Sequence, residues 1–147
     1  MPRLTGGCHC GAIRYEAEGE PFEAAVCHCA DCRRTTGAPA IAWFTVPTAG
    51  FRFVTGAPAA YRSSPHAERR FCPRCGAQMT FVDDDYEGAR VDVTTASLDD
   101  PTLAAPREHI GEKGRAISFP VAERVAQQAR RDVGEIVGAV EMPIVAM

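Results

Sequence analysis

Phe71-Cys-Pro-Arg-Cys-Gly76 has the shape of a zinc knuckle. Two residues between Cys72 and Cys75 let both sulfurs converge on one ion, and Gly76 permits the tight turn that follows. A knuckle supplies two ligands and tetrahedral zinc takes four, so a second pair must complete it. Cys8 and Cys10, in Gly6-Gly-Cys-His-Cys-Gly11, are the natural pair. On an extended strand, residues i and i+2 share a face, so both thiolates reach one metal while His9 points away. Cys8, Cys10, Cys72 and Cys75 are therefore expected to form a closed zinc site that staples N-terminal to central strands. Metal binding at such a site is folding free energy.

Three cysteines remain, in Cys27-His-Cys-Ala-Asp-Cys32. Cys27 and Cys29 read as sharing a strand face, with Cys32 brought round by a short turn. Three protein ligands with one open position is the pattern of a catalytic zinc site. Three alternatives stay open. His66 or His109 could close the site into a structural one; Cys29 and Cys32 could be a redox pair; iron could sit among four cysteines. By strand alternation His28 points away from Cys27 and Cys29. His9 and His28 read as hydrogen-bonded or exposed strand residues, and Asp31 as a surface turn residue.

The whole chain narrows these readings. Its 147 residues, 46% hydrophobic and 24% charged, suit one globular domain with a short appendage at most. A net charge of −3 with no basic run makes nucleic acid an unexpected partner. The N-terminus carries no apolar signal region, and no apolar run approaches the roughly 18 residues of a membrane span. The expectation is a soluble, cytoplasmic protein. In a reducing compartment an odd set of seven cysteines suits metal rather than disulfides.

Ile13 and Tyr15, Phe51 and Phe53, and Val91 and Val93 lie two apart, with turn residues nearby. Residues 40–46 read as a more deeply buried strand closed by Pro47. Many short strands between turns argue for a mainly β domain over 1–120. Over 121–147 the character changes: Val121, Val125, Ala129, Val133, Ile136 and Val137 recur at a helical period after Pro120. This C-terminal helix either packs on the domain or mediates homo-oligomerisation.

Gly6-Gly-Cys-His-Cys-Gly11, Cys27-His-Cys-Ala-Asp-Cys-Arg-Arg-Thr-Thr-Gly37 and Arg70-Phe-Cys-Pro-Arg-Cys-Gly76 together resemble the glutathione-dependent formaldehyde-activating enzyme family. Ser97-Leu-Asp-Asp and Pro106-Arg-Glu-His-Ile110 are similar to its weaker motifs, and the likeness runs from about Leu4 to Phe119. The resemblance implies an Mss-four-like fold of several packed antiparallel sheets stapled by zinc. It implies two zinc ions, one structural on Cys8, Cys10, Cys72 and Cys75 and one catalytic on Cys27, Cys29 and Cys32. Arg115-Ala-Ile-Ser-Phe119 lacks the Trp of the family's closing strand.

The implied activity is a carbon–sulfur lyase reaction in reverse, the condensation of formaldehyde with glutathione as co-substrate. Three thiolates around one zinc leave the site anionic, which favours a nucleophilic sulfur over strong Lewis-acid action on the aldehyde. Glutathione carries two carboxylates, and Arg33 and Arg34, just after Cys32, are the candidates to hold them; Arg69 and Arg70 lie before the knuckle. Thr35, Thr36 and Gly37 are assigned to loop shape. Thiols add to formaldehyde without a catalyst, so a non-catalytic thiol-binding module and a zinc-stapled interaction domain are the competing functions. If the C-terminal segment drives association, cutting the chain after Pro120 will lower the number of chains per particle measured by size exclusion with light scattering. An unchanged oligomeric state removes that role.

Overall fold

The structure, a computed structural model, describes residues 2–116. The helix expected within 121–147 lies outside the described residues. In chain order the elements are β1 (Arg3–Gly7), β2 (Arg14–Glu18), β3 (Glu23–Cys27), α1 (Ala30–Thr36), β4 (Ile41–Pro47), β5 (Phe51–Thr55), β6 (Ala59–Ser64), β7 (Ala67–Phe71), β8 (Gln78–Asp83), β9 (Arg90–Thr94) and β10 (Glu108–Ile110), with short 3-10 turns between several of them. The fold is mainly β, as the turn-punctuated sequence predicts. No helix among the described residues is long and apolar enough to cross a membrane.

The strands form two sheets, one of three strands in the order β1-β2-β5 and one of seven in the order β10-β3-β4-β9-β8-β7-β6. Pairing is antiparallel throughout except that β10 runs parallel to β3, with His109 opposite Val26. That parallel strand departs from the all-antiparallel expectation. It returns the chain to β3 long after leaving it, which no local pattern signals.

Alternation along the seven-stranded sheet gives it two unlike faces. Phe44 and Val46 of β4 and Val91 and Val93 of β9 are buried in one cluster with Leu4, Ile13, Tyr15 and Ala17 of the small sheet's region. Burying each of these larger side chains stabilises the fold by roughly 1.5–3 kcal/mol. Tyr15 is fully buried, and its hydroxyl pairs with Ser97 Oγ at 2.8 Å. Burial pushes that phenol up to about 12, so it stays neutral and able to donate.

The residues between these point the other way. Glu23 lies opposite Thr45, Thr45 opposite Asp92, Asp92 opposite Phe81, and Phe81 opposite Arg69. This cross-strand row lines a cavity instead of a core. Polar and charged side chains thus stand at the alternate positions of strands whose other positions are Phe and Val.

The two faces predict different costs of truncation. Phe44→Ala removes a ring at the centre of the core and will lower the unfolding free energy by about 3–5 kcal/mol in urea titration. Arg52→Ala removes the surface ion pairs of an exposed arginine with Glu16 and Glu18 and will leave it nearly unchanged.

Candidate metal centre and its cavity

β1 ends at Gly7, so Cys8 and Cys10 stand on a turn and not on the extended strand expected for them. Gly11, at φ 78°, lets the chain reverse. Its N–H donates to the Cys8 carbonyl at 3.1 Å, and the Cys8 N–H to Ile13 at 3.0 Å. The Cys72–Cys75 loop repeats the design, with the Cys72 N–H donating to Ala77 and the Gly76 N–H to Cys72. Strand alternation is therefore not what gathers these thiols. Two similar tight loops do so, and the turn leaves amides free to serve sulfur, as Ile13 N does for Cys8 Sγ at 3.2 Å.

The four sulfurs lie within 4.8 Å of one another. Cys8 to Cys10 is 3.6 Å and Cys10 to Cys72 is 3.8 Å. Tetrahedral zinc with bonds of about 2.3 Å holds its sulfurs about 3.8 Å apart, so this donor set fits the ion. The Ala77 amide, and after it that of Cys10, lowers the Cys75 thiol to about 6, towards the thiolate that a metal requires.

Cys27, Cys29 and Cys32 also bring their sulfurs within 4.8 Å of one another, by a route the sequence reading missed. Cys27 is the last residue of β3. Cys29 caps α1, its sulfur accepting from the Cys32 N–H at 3.3 Å, and Cys32 sits inside that helix. The shared strand face is thus replaced by a strand end, a helix cap and a first turn. The helix escaped notice because a cysteine stands where Ser, Thr, Asp or Asn usually caps. Arg33 and Arg34 in its last turn and Gly37 at φ 67° after it were the legible signals.

Among the described residues no histidine or carboxylate joins these three sulfurs. His109 Nδ1 lies 2.8 Å from His28 Nε2, and His66 bonds through its N–H to Ser64. His28 is fully buried beside the cysteine loop, where its N–H donates to Ile110 of β10. His9 is exposed, as is Asp31. Gly111 and Gly114 follow β10 onto the same loop, and a Cβ on either would come within 2.9 Å of Cys29 backbone atoms. Close backbone approach explains both glycines.

All three cysteines open into a cavity of about 320 Å³. Trp43 and Phe81 line it with their rings 6.2 Å apart, together with Arg69, Arg90 and Asp92. Cys27, acting as a hydrogen-bond partner, and then Arg69 lower the Cys32 thiol to about 5. Cys27 is pushed far upward by the same contact, so the pair favours one thiol and one thiolate. Burial raises the Asp92 carboxyl, against the hydrogen bond that it accepts from Thr45 at 2.5 Å. Arg33 and Arg34 do not line the cavity, and the Arg33 Nε–H donates to the His28 carbonyl at 3.2 Å. Arg69 does line it. Its place on the wall follows from sheet register, which sequence spacing does not reveal.

A sequence model described as glutathione-dependent formaldehyde-activating enzyme matches residues 3–113. A Schizosaccharomyces pombe protein described as an "Uncharacterized lyase" is 35% identical over 84 residues, 56% of this chain and 59% of the relative. A Halomonas elongata protein described as "Putative glutathione-dependent formaldehyde-activating enzyme" is 34% identical over 89 residues, 54% of this chain and 56% of the relative. The chain therefore spans less than two-thirds of these relatives' length. A crystal structure of a Rhodobacter sphaeroides protein superposes with a TM-score of 0.58 at 26% identity, covering 71% of this chain and 98% of that one.

The two cysteine groups should separate by mutation. Cys72→Ser will lose the cooperative thermal unfolding seen by circular dichroism, because its site links distant loops. Cys29→Ser will keep that transition and lose one metal ion per chain in native mass spectrometry. If Cys29→Ser keeps the full metal content, the three-cysteine group is not a metal site.

Proposed function

This chain belongs to the glutathione-dependent formaldehyde-activating enzyme family, and on that premise we propose that it is a zinc-dependent carbon–sulfur lyase-type enzyme that joins formaldehyde to glutathione or a related small thiol. The observation that carries this reading is the opening of three clustered cysteine sulfurs into a cavity walled by Trp43 and Phe81. A structural site would use its sulfurs to close on a fourth ligand. Cys8, Cys10, Cys72 and Cys75 are the proposed structural zinc site, and Cys27, Cys29 and Cys32 the proposed catalytic one. A zinc ion on the latter would supply an open position that stabilises a substrate sulfur as thiolate.

In the reaction a sulfur–carbon bond forms and the carbonyl π bond breaks, while the thiol proton ends on the former carbonyl oxygen. Asp92 is the cavity side chain suited to carry that proton. Its carboxyl is oriented by Thr45 and raised by burial, which brings its proton affinity towards working pH. Trp43 and Phe81 would give the bond-forming atoms apolar walls. The cavity volume lies near the lower end of ligand sites, about 300–1,000 Å³, so a tripeptide thiol would seat its sulfur end and extend outward. Arg90 within the cavity, and Arg33 and Arg34 beyond it, are the proposed contacts for its carboxylates.

Exchange spectroscopy of the glutathione–formaldehyde equilibrium tests this reading. The protein is expected to accelerate exchange between free and hydroxymethylated thiol, and a rate independent of protein would leave only a thiol-binding module. Asp92→Asn will slow exchange about 100-fold without destabilising the fold at neutral pH. A carboxyl raised in the folded state contributes stability below its unfolded value, near 3.8, and loses it as pH rises through the folded value. Asparagine carries no such cost, so the variant's melting temperature at pH 7 should equal or exceed the parent's.

A further inference from the structure

Arg69 is 3% exposed, although it carries a full positive charge in the wall of the cavity. A buried guanidinium is costly unless anions or acceptors surround it. Its Nε–H donates to Ser63 Oγ at 3.2 Å, and its plane lies over the Phe81 ring with 4.8 Å from Cζ to the centroid. Both remaining nitrogens reach the same atom: Nη1 lies 3.8 Å and Nη2 3.7 Å from Cys32 Sγ. Among the described residues no carboxylate stands within ion-pair distance of it. The counter-charge of this arginine is the cysteine cluster itself.

We propose that Arg69 is a positioning residue of the three-cysteine centre, donating a fork of two N–H groups to Cys32 Sγ and setting both the charge of the loaded site and its hold on metal. The inference rests on the reading of Cys27, Cys29 and Cys32 as a metal site. Three thiolates with one zinc ion carry one net negative charge, and the Arg69 guanidinium cancels it. Ser63 fixes one edge of the fork and Phe81 fixes its plane, so the N–H groups are aimed before any metal arrives. Without the arginine, Cys32 Sγ would lose its two guanidinium N–H donors and the loaded centre the cation in contact with it, so metal would be held less tightly. Outer contacts of this kind commonly change metal affinity about 10- to 100-fold. Lysine keeps the charge but lacks the planar fork, so it should restore part of the effect.

The test uses the full-length chain loaded with two zinc ions, titrated with a chromophoric chelator, and compares the parent with Arg69→Met and Arg69→Lys. The expected result is that the weaker site of Arg69→Met loses zinc at least about 10-fold more readily, that Arg69→Lys falls between it and the parent, and that the tighter site is unchanged. Cobalt(II) substitution gives a second readout, because losing the N–H donors will shift the thiolate-to-metal charge-transfer band of the weaker site. If Arg69→Met fails to fold, Arg69→Lys alone decides, through its affinity and its cobalt band. Two bound ions with both properties unchanged in the folded variants would overturn the role of Arg69 and leave the metal site standing. A parent that binds a single ion would overturn the metal site, and Arg69 with it.

Discussion

The convergence of Cys8 and Cys10 with Cys72 and Cys75 is the constraint on which the rest of the arrangement hangs. Cys10 and Cys72 are 62 residues apart, and their sulfurs lie 3.8 Å from each other. One pair follows β1 of the small sheet, and the other joins β7 to β8 in the large sheet. Bringing such distant segments together costs loop-closure entropy before any contact returns it. Four thiols that fit one ion offer a concentrated return, with Leu4, Ile13, Cys72 and Met79 buried in the same cluster. The Cys72–Cys75 loop turns β7 into β8, and the register of that pair sets Arg69 opposite Phe81.

Once the two sheets are held face to face, alternation does the remaining division. Phe44, Val46, Val91 and Val93 fill the space between the sheets, so their neighbours along the same strands face the other way. That second face collects Trp43, Thr45, Phe81, Arg69 and Asp92 across four strands of the seven-stranded sheet. Rigid strands with one face locked in a core are suitable supports for a site, because their side chains are held by register and not by loops. The cysteine centre sits at the rim of this surface, where β3 ends and α1 begins.

Electrostatics link the rim to the floor. The Cys29 sulfur accepts an amide from the helix that it caps, Cys32 faces a buried guanidinium, and the Asp92 carboxyl is raised in the same cavity. Each of these groups would be expensive to bury alone. Together they form a site in which cysteine sulfurs, the guanidiniums of Arg69 and Arg90 and a carboxyl raised by burial stand beside Trp43 and Phe81.

The β class and the grouping of seven cysteines as four and three were legible in the chain, because knuckle spacing and turn residues are local properties. The strand read at residues 40–46 is β4 (Ile41–Pro47), buried from Trp43 to Val46 and only partly so at Ile41 and Ala42. Spacing alone misjudged the backbone beneath the thiols. The Cys8–Cys10 turn depends on a left-handed Gly11, and α1 depends on a sulfur acting as a cap, neither of which a period of two can express. Which charged residues meet the centre depends on how distant strands pair. Arg33 and Arg34 are adjacent to Cys32 in the chain, yet helix geometry keeps them from the cavity wall. Arg69 is 37 residues away and touches the sulfur, because sheet register, set by pairing across β7, β8 and β9, places it there.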